Sequence, residues 1–168
     1  EHVERAGVHS GDASMSIPPQ TLPEHIKEKI REYTSKIARA LVGFGFKRIA
    51  IIAENTDWGI EAKNLYEKVF REAGVEIVGS YTAERTVTDF TPQLLEIKPK
   101  NPDLILAEFT GTGGYLIIRQ AYELGIAPSP TCLIATSATT ALYPEFWETT
   151  REAGVYVLAA TVWTKKVK

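Results

Sequence analysis

Apolar residues follow two alternating rhythms along this chain. From Ile49 to Ala53 they run unbroken and are rich in β-branched types, which predicts a strand covered on both faces. Asn55, Thr56 and Asp57 break that run and supply caps for a helix starting near Gly59 or Ile60. Leu65, Tyr66, Val69 and Phe70 then recur at helical spacing until Gly74 stops the helix. Upstream, Pro23 opens a helix with Ile26, Ile30, Tyr33, Ile37, Leu41 and Val42 on one face, ended by Gly43 and Gly45. Downstream, a strand is predicted over Val75 to Tyr81. A helix carrying Phe90, Leu94, Leu95 and Ile97 follows, capped by Thr88 or Asp89 and closed by Pro99 and Pro102. Leu104 to Phe109 reads as a third strand with Thr110 to Gly114 as its exit loop, then a helix from Tyr115 to Leu124. Thr131 to Ala135 reads as a fourth strand with a polar exit loop, Thr136 to Thr140. A short helix around Pro144 to Thr150 and a last strand, Val155 to about Val162, complete the pattern.

A helix followed by β-α-β-α-β-α-β-α-β predicts an α/β, doubly wound, three-layer sandwich on a five-stranded parallel sheet, with strand order 2-1-3-4-5. The expected organisation is an extended or poorly ordered segment over residues 1–22, one lobe over 23–162 and a basic tail over 163–168.

Composition narrows the function classes. The length of 168 residues allows one domain with a real core. A net charge of −2 and a pI of about 6.0 give no lead toward nucleic acid or an anionic membrane. The longest apolar run, Val155 to Trp163, is far short of the ~20 residues a spanning helix needs. Cys132 is alone, so no internal disulfide forms, and this leaves the compartment open. The chain opens on Glu1 rather than Met, so the lack of a leader carries no weight.

Ligands of open parallel sheets sit beyond the carboxyl ends of the strands. Three loops should meet there: Glu54 to Trp58, Phe109 to Gly114, and Thr136 to Thr140. They offer hydroxyls, backbone amides at helix N-termini and the apolar face of Trp58. Glu54, Asp57 and Glu108 are counter-charges for an ammonium. Each has a structural alternative: Thr and Ser at strand exits cap helices, Trp58 packs under its own helix, and Glu108 is solvated or paired. Gly111 to Gly114 is neither a GxGxxG fingerprint nor a P-loop, so no nucleotide cofactor is expected. His2, His9 and His25 all precede the first strand, Cys132 falls in a strand where a thiol is inert, and no nucleophile elbow occurs. No catalytic or metal site is expected.

Several short stretches follow one another in an order and spacing that together carry a family resemblance. They are Ile49 to Gly59, Ala73-Gly74-Val75-Glu76-Ile77-Val78-Gly79, Thr88-Asp89-Phe90 with Gln93-Leu94, Asn101-Pro102-Asp103-Leu104-Ile105, Ile118-Arg119-Gln120-Ala121 with Leu124-Gly125-Ile126, and Glu152-Ala153-Gly154-Val155. From Phe44 to about Thr161 the chain resembles the type I periplasmic binding proteins, and within them the branched-chain amino-acid receptors of ABC transporters.

That resemblance implies a two-lobed protein that traps its ligand between lobes, with this chain as the second lobe only and residues 1–22 and 163–168 as crossing segments. It implies an extracytoplasmic solute-binding component, periplasmic or lipoprotein-anchored, whose partners are a small-molecule ligand, the missing N-terminal lobe and an ABC transporter permease. With that lobe absent, the exposed docking face and Trp163 would drive self-association. The ligand is an amino acid or a similar small polar organic molecule. The ligand-binding residues carried over or adjoining are Asn55, Asp57, Trp58, Thr110, Gly111, Thr136 and Ser137. Where the amino-acid receptors place an acidic residue for the ligand's ammonium, this chain has Thr136-Ser137-Ala138-Thr139, which turns the expectation toward neutral, anionic or aromatic ligands as well. The same fold also serves as an extracellular sensing domain of signalling receptors, and a flavodoxin-like nucleotide-binding domain is the third reading.

Overall fold

Strand β1 (Arg48–Glu54) is buried at every position after Arg48, as a strand flanked by helices on both faces must be. Asp103 fixes its start, accepting the N–H groups of Lys47 and Arg48 on Oδ2 at 2.8 and 2.9 Å. The computed structural model describes residues 23–25, 28–29, 32, 43–137, 140–141 and 143–159.

Helix α1 (Asp57–Glu72) follows β1 directly and begins two to three residues earlier than its capping pattern predicts. Thr56 is the N-cap and accepts the Gly59 N–H on Oγ1 at 3.2 Å. The chain returns through β2 (Glu76–Ala83), α2 (Thr91–Ile97) and β3 (Leu104–Glu108). Phe90, not Asp89, is the α2 N-cap, while Asp89 Oδ1 accepts the Thr91 N–H at 2.9 Å.

Helix α3 (Gly111–Glu123) starts four residues before the predicted Tyr115. The glycines that suggested a loop are its first turn. A Cβ at Gly113 would stand 2.6 Å from the Phe109 ring, and one at Gly114 would stand 3.0 Å from the Phe109 carbonyl oxygen. Glycine here admits a helix laid close against the strand it leaves.

The chain then forms β4 (Leu133–Thr136), a short α4 (Glu145–Thr150) and β5 (Leu158–Ala159). Cys132 lies one residue before β4 and is buried. The predicted helix from Pro23 and the outer part of the last strand fall largely outside the described residues, as do residues 1–22, Ala138, Thr139 and Trp163.

All strand pairings are parallel and the order is β2-β1-β3-β4-β5, as the alternation predicts. Alternate side chains of the central strands build two cores. Ala50, Ile52, Ile105, Ala107 and Phe109 pack with Leu94, Ile117 and Ile118, and Phe90 meets Phe109 edge-on at 5.1 Å. On the other face, Ile49, Ile51, Leu104 and Leu106 pack with Val69 and Phe70. Full burial of each such side chain contributes about 1.5–3 kcal/mol. The parallel register, with Ala53 opposite Glu108 and Ala107 opposite Thr136, brings the exits of β1, β3 and β4 to one edge.

Candidate functional site

That edge is a polar belt tied together across four loops. Glu54 is its centre and is almost wholly buried at 3% exposure. Its Oε2 accepts the Thr110 hydroxyl at 2.7 Å and the Thr110 N–H at 3.2 Å. Its Oε1 faces Arg85 Nε at 3.3 Å. Arg85 also directs an Nη at the Thr110 hydroxyl, 3.4 Å away. Asn55 is exposed and donates to Glu84 through Nδ2, closing the β1 loop onto the β2 loop.

The β4 loop joins through hydroxyls. Thr140 donates to the Phe109 carbonyl at 2.7 Å, and Ser137 approaches the same oxygen at 3.4 Å and Thr140 Oγ1 at 3.0 Å. Thr136 is buried and its hydroxyl donates inward to the Ala107 carbonyl at 3.3 Å. Trp58 is half-buried, Asp57 is exposed in the first turn of α1, and Gly111 opens α3 with φ +57°. The topology therefore brings Asn55, Asp57, Trp58, Thr110, Gly111 and Ser137 to the edge surface, with Thr136 beneath it.

Gly59 controls how the first loop sits. An added Cβ would lie 2.1 Å from the Glu54 carbonyl oxygen, so the helix carrying Trp58 rests directly on the end of β1.

Two ionisable groups behind the belt are shifted by burial. Glu108 ends β3 on the α1 side at 7% exposure, and desolvation raises its pKa, opposed by a hydrogen bond from Tyr66. Burial first, and the neighbouring Glu108 second, raise the Tyr66 phenol out of the physiological range. Burial pushes the Cys132 thiol up to about 12, so it stays protonated and inert. No metal-holding group of His, Cys, Asp and Glu occurs among the described residues.

Sequence reasoning offered Glu54 as a counter-charge for an ammonium, but its carboxylate is already engaged by Thr110 and Arg85. It passed over Arg85, which sits in the loop between β2 and α2. The available signal was its sign: Arg85 is the one cation among the described residues of the strand exits 54–58, 83–90, 109–114 and 136–144.

A separate groove of about 1020 Å³ lies at the opposite edge, lined by Phe44, Phe46, Leu133, Val155 and Tyr156 among others. Its lining is mainly apolar but includes Asp103, Ser129, Thr131 and Glu152, and it borders Phe44 to Phe46, which adjoin residues outside those described.

The periplasmic binding protein family matches residues 28–166. The chain belongs to that family. Solute binding rather than catalysis is the business of periplasmic binding proteins, and no helix of the described residues is long and apolar enough to cross a membrane.

The solved structures agree on the fold. A protein from Rhodospirillum rubrum described as a branched-chain amino acid ABC transporter superposes with a TM-score of 0.68 at 24% identity, over 77% of this chain and 36% of its own. An extracellular ligand-binding receptor from Rhodopseudomonas palustris gives 0.66 at 21% identity, over 77% and 35%. An ABC transporter solute-binding protein from R. palustris, solved with 4-hydroxybenzoate, gives 0.61 at 21% identity, over 71% and 32%. This chain thus spans about a third of the length of those proteins.

Curated relatives match over much shorter stretches. The carbamoyl phosphate synthase large chain of Methanobrevibacter smithii is 63% identical over 41 residues, 24% of this chain and 4% of that enzyme. The C-terminal section from Methanocaldococcus jannaschii is 61% identical over 41 residues, 7% of its length.

Proposed function

We propose that this chain is the second, ligand-contacting lobe of an extracytoplasmic solute receptor that serves an ABC transporter. It captures an amino acid or another small polar organic molecule when a partner lobe closes over the polar edge. The observation that carries this reading is the edge itself. Hydroxyls, helix N-termini and Trp58 are gathered from several loops at one sheet edge. A surface of that kind orients a ligand and needs a second body to exclude water, which is hinge closure by two lobes. Asn55, Asp57, Trp58, Thr110, Gly111 and Ser137 are the proposed contacts. The inward hydroxyl of Thr136 supports the β4 loop.

The length ratio supports the same reading, since a chain spanning about a third of its structural neighbours supplies part of a two-lobed body. The stretch shared with carbamoyl phosphate synthase is at the lower limit of what folds alone, so it does not bring that enzyme's activity with it.

Amide chemical-shift mapping of the chain with millimolar L-leucine and 4-hydroxybenzoate tests the proposal. Shifts should cluster at residues 55–58, 110–111 and 137, with dissociation constants near millimolar, about −4 kcal/mol. Shifts confined to the groove at the opposite edge would overturn the site. Micromolar binding by this chain alone would overturn the two-lobe mechanism.

A further inference from the structure

We propose that Arg85 is the anion reader of this edge: a guanidinium fixed from behind by Glu54 and Thr110 that takes the carboxylate of a small organic acid. This deepens the solute-receptor reading and rests on it. Arg85 extends from the loop after β2 with its side chain 70% exposed, while its Glu54 partner is 4% exposed. Nε lies 3.3 Å from Glu54 Oε1 as an ion pair, and one Nη donates to Thr110 Oγ1 at 3.4 Å. The Thr110 hydroxyl donates to Glu54 Oε2, so its lone pair is available to that Nη. The second Nη has no partner among the described residues, and a guanidinium carries five N–H donors.

These two contacts hold the group at the edge before any ligand arrives, which lowers the rotamer cost of binding. Glu54 neutralises Arg85 without capping its outward donors. Two acidic neighbours are occupied as well: Glu84 accepts from Asn55, and Asp89 accepts the Thr91 N–H. The edge therefore offers its one cation and the remaining N–H donors of that group to an incoming oxyanion. A purely structural ion pair would need only Nε and would be indifferent to the charge of the ligand.

The probes are 4-hydroxybenzoate and its uncharged analogue 4-hydroxybenzamide, titrated at pH 7 into the 168-residue chain. Two readouts are followed, the backbone amides of residues 55–58 and 110–111 and the Arg85 Nε–Hε resonance. The acid should bind at least about tenfold more tightly than the amide, one bidentate charge-assisted contact, and only the acid should move Nε–Hε. Arg85→Gln should erase the preference by weakening the acid far more than the amide, and Arg85→Lys should restore part of it. Equal binding of acid and amide at the edge, with Nε–Hε unmoved, would overturn the role of Arg85 and leave the solute-receptor site standing. No shift at the edge with either probe would overturn both.

Discussion

Replacing Gly59 by alanine should lower the stability of this protein, against what helix propensity alone dictates. Gly59 is the third residue of α1, and alanine in place of glycine in a helix gains about 1 kcal/mol. Here the new Cβ would meet the Glu54 carbonyl oxygen at 2.1 Å and its carbon at 2.9 Å. Both are backbone atoms, so no rotamer change relieves the contact. Reaching a normal separation takes a displacement of roughly 1 Å between the start of α1 and the end of β1. The same carbonyl accepts the Thr56 N–H at 2.9 Å, so the N-cap turn is disturbed too. Overpacking of this kind costs about 3 kcal/mol, the upper part of its usual range. The net loss is about 2 kcal/mol, which lowers the melting temperature of a domain of this size by about 4–8 °C. Thermal and urea unfolding followed by circular dichroism measures it, with Glu61→Ala, at an exposed position of the same helix, as the neutral control. A Gly59→Ala protein that melts at or above the parent temperature would refute the close approach of α1 to β1. Trp58 fluorescence should shift in the variant, because the residue rides on the displaced turn.

Glu54→Ala should destabilise by about 2 kcal/mol, since it strands the Thr110 N–H and removes charge-assisted bonds beneath the belt. Arg85→Ala, at the exposed end of the same ion pair, should cost well under 1 kcal/mol, and equal losses for the two would refute the placement of Glu54. Glu108 should impose a pH dependence, because burial raises its folded-state pKa above the ordinary 4.5 and the native protein then holds its proton more tightly than the unfolded chain. Stability is fullest below that ordinary value and falls as pH rises through the elevated folded value. Glu108→Gln should flatten this slope and raise stability at pH 7, and an unchanged slope in denaturant melts at several pH values would count against it.

The sheet was legible because β1 and β3 are apolar runs with glycine or proline nearby, and five strand signals alternating with helices leave few parallel topologies. Element starts were less legible where local signals compete. The glycines at 113 and 114 read as a loop because glycine is poor in helices, yet they lie in the first turn of α3, packed tightly against Phe109 and Thr140. At the strand exits, topology brought the named loops to one edge but did not give the direction of each side chain. Thr136 stands two residues after Ile134, and strand periodicity alone puts both on the buried face. Glu54 and Arg85 were opaque for a different reason. Their meaning comes from pairing across 31 residues of sequence, and nothing in either loop announces the partner.

In the proposed two-lobe receptor the belt also sets what one lobe contributes. Glu54 is spent on Thr110 and Arg85, so the proposed ligand surface is left with one cation, a few hydroxyls and amides, and Trp58. Contacts of this number support affinity near millimolar, and micromolar capture asks for a further 4 kcal/mol or so. Two charge-assisted hydrogen bonds from an opposing wall, at about 1.5–3 kcal/mol each, meet that requirement once water is excluded. On the proposed two-lobe mechanism, most of the discrimination between ligands then falls to the closing step. An anion seated on Arg85 would favour the closed state only by the extra contacts it made there, and a ligand that bound the open edge equally well but offered nothing to the second wall would leave the hinge where it was.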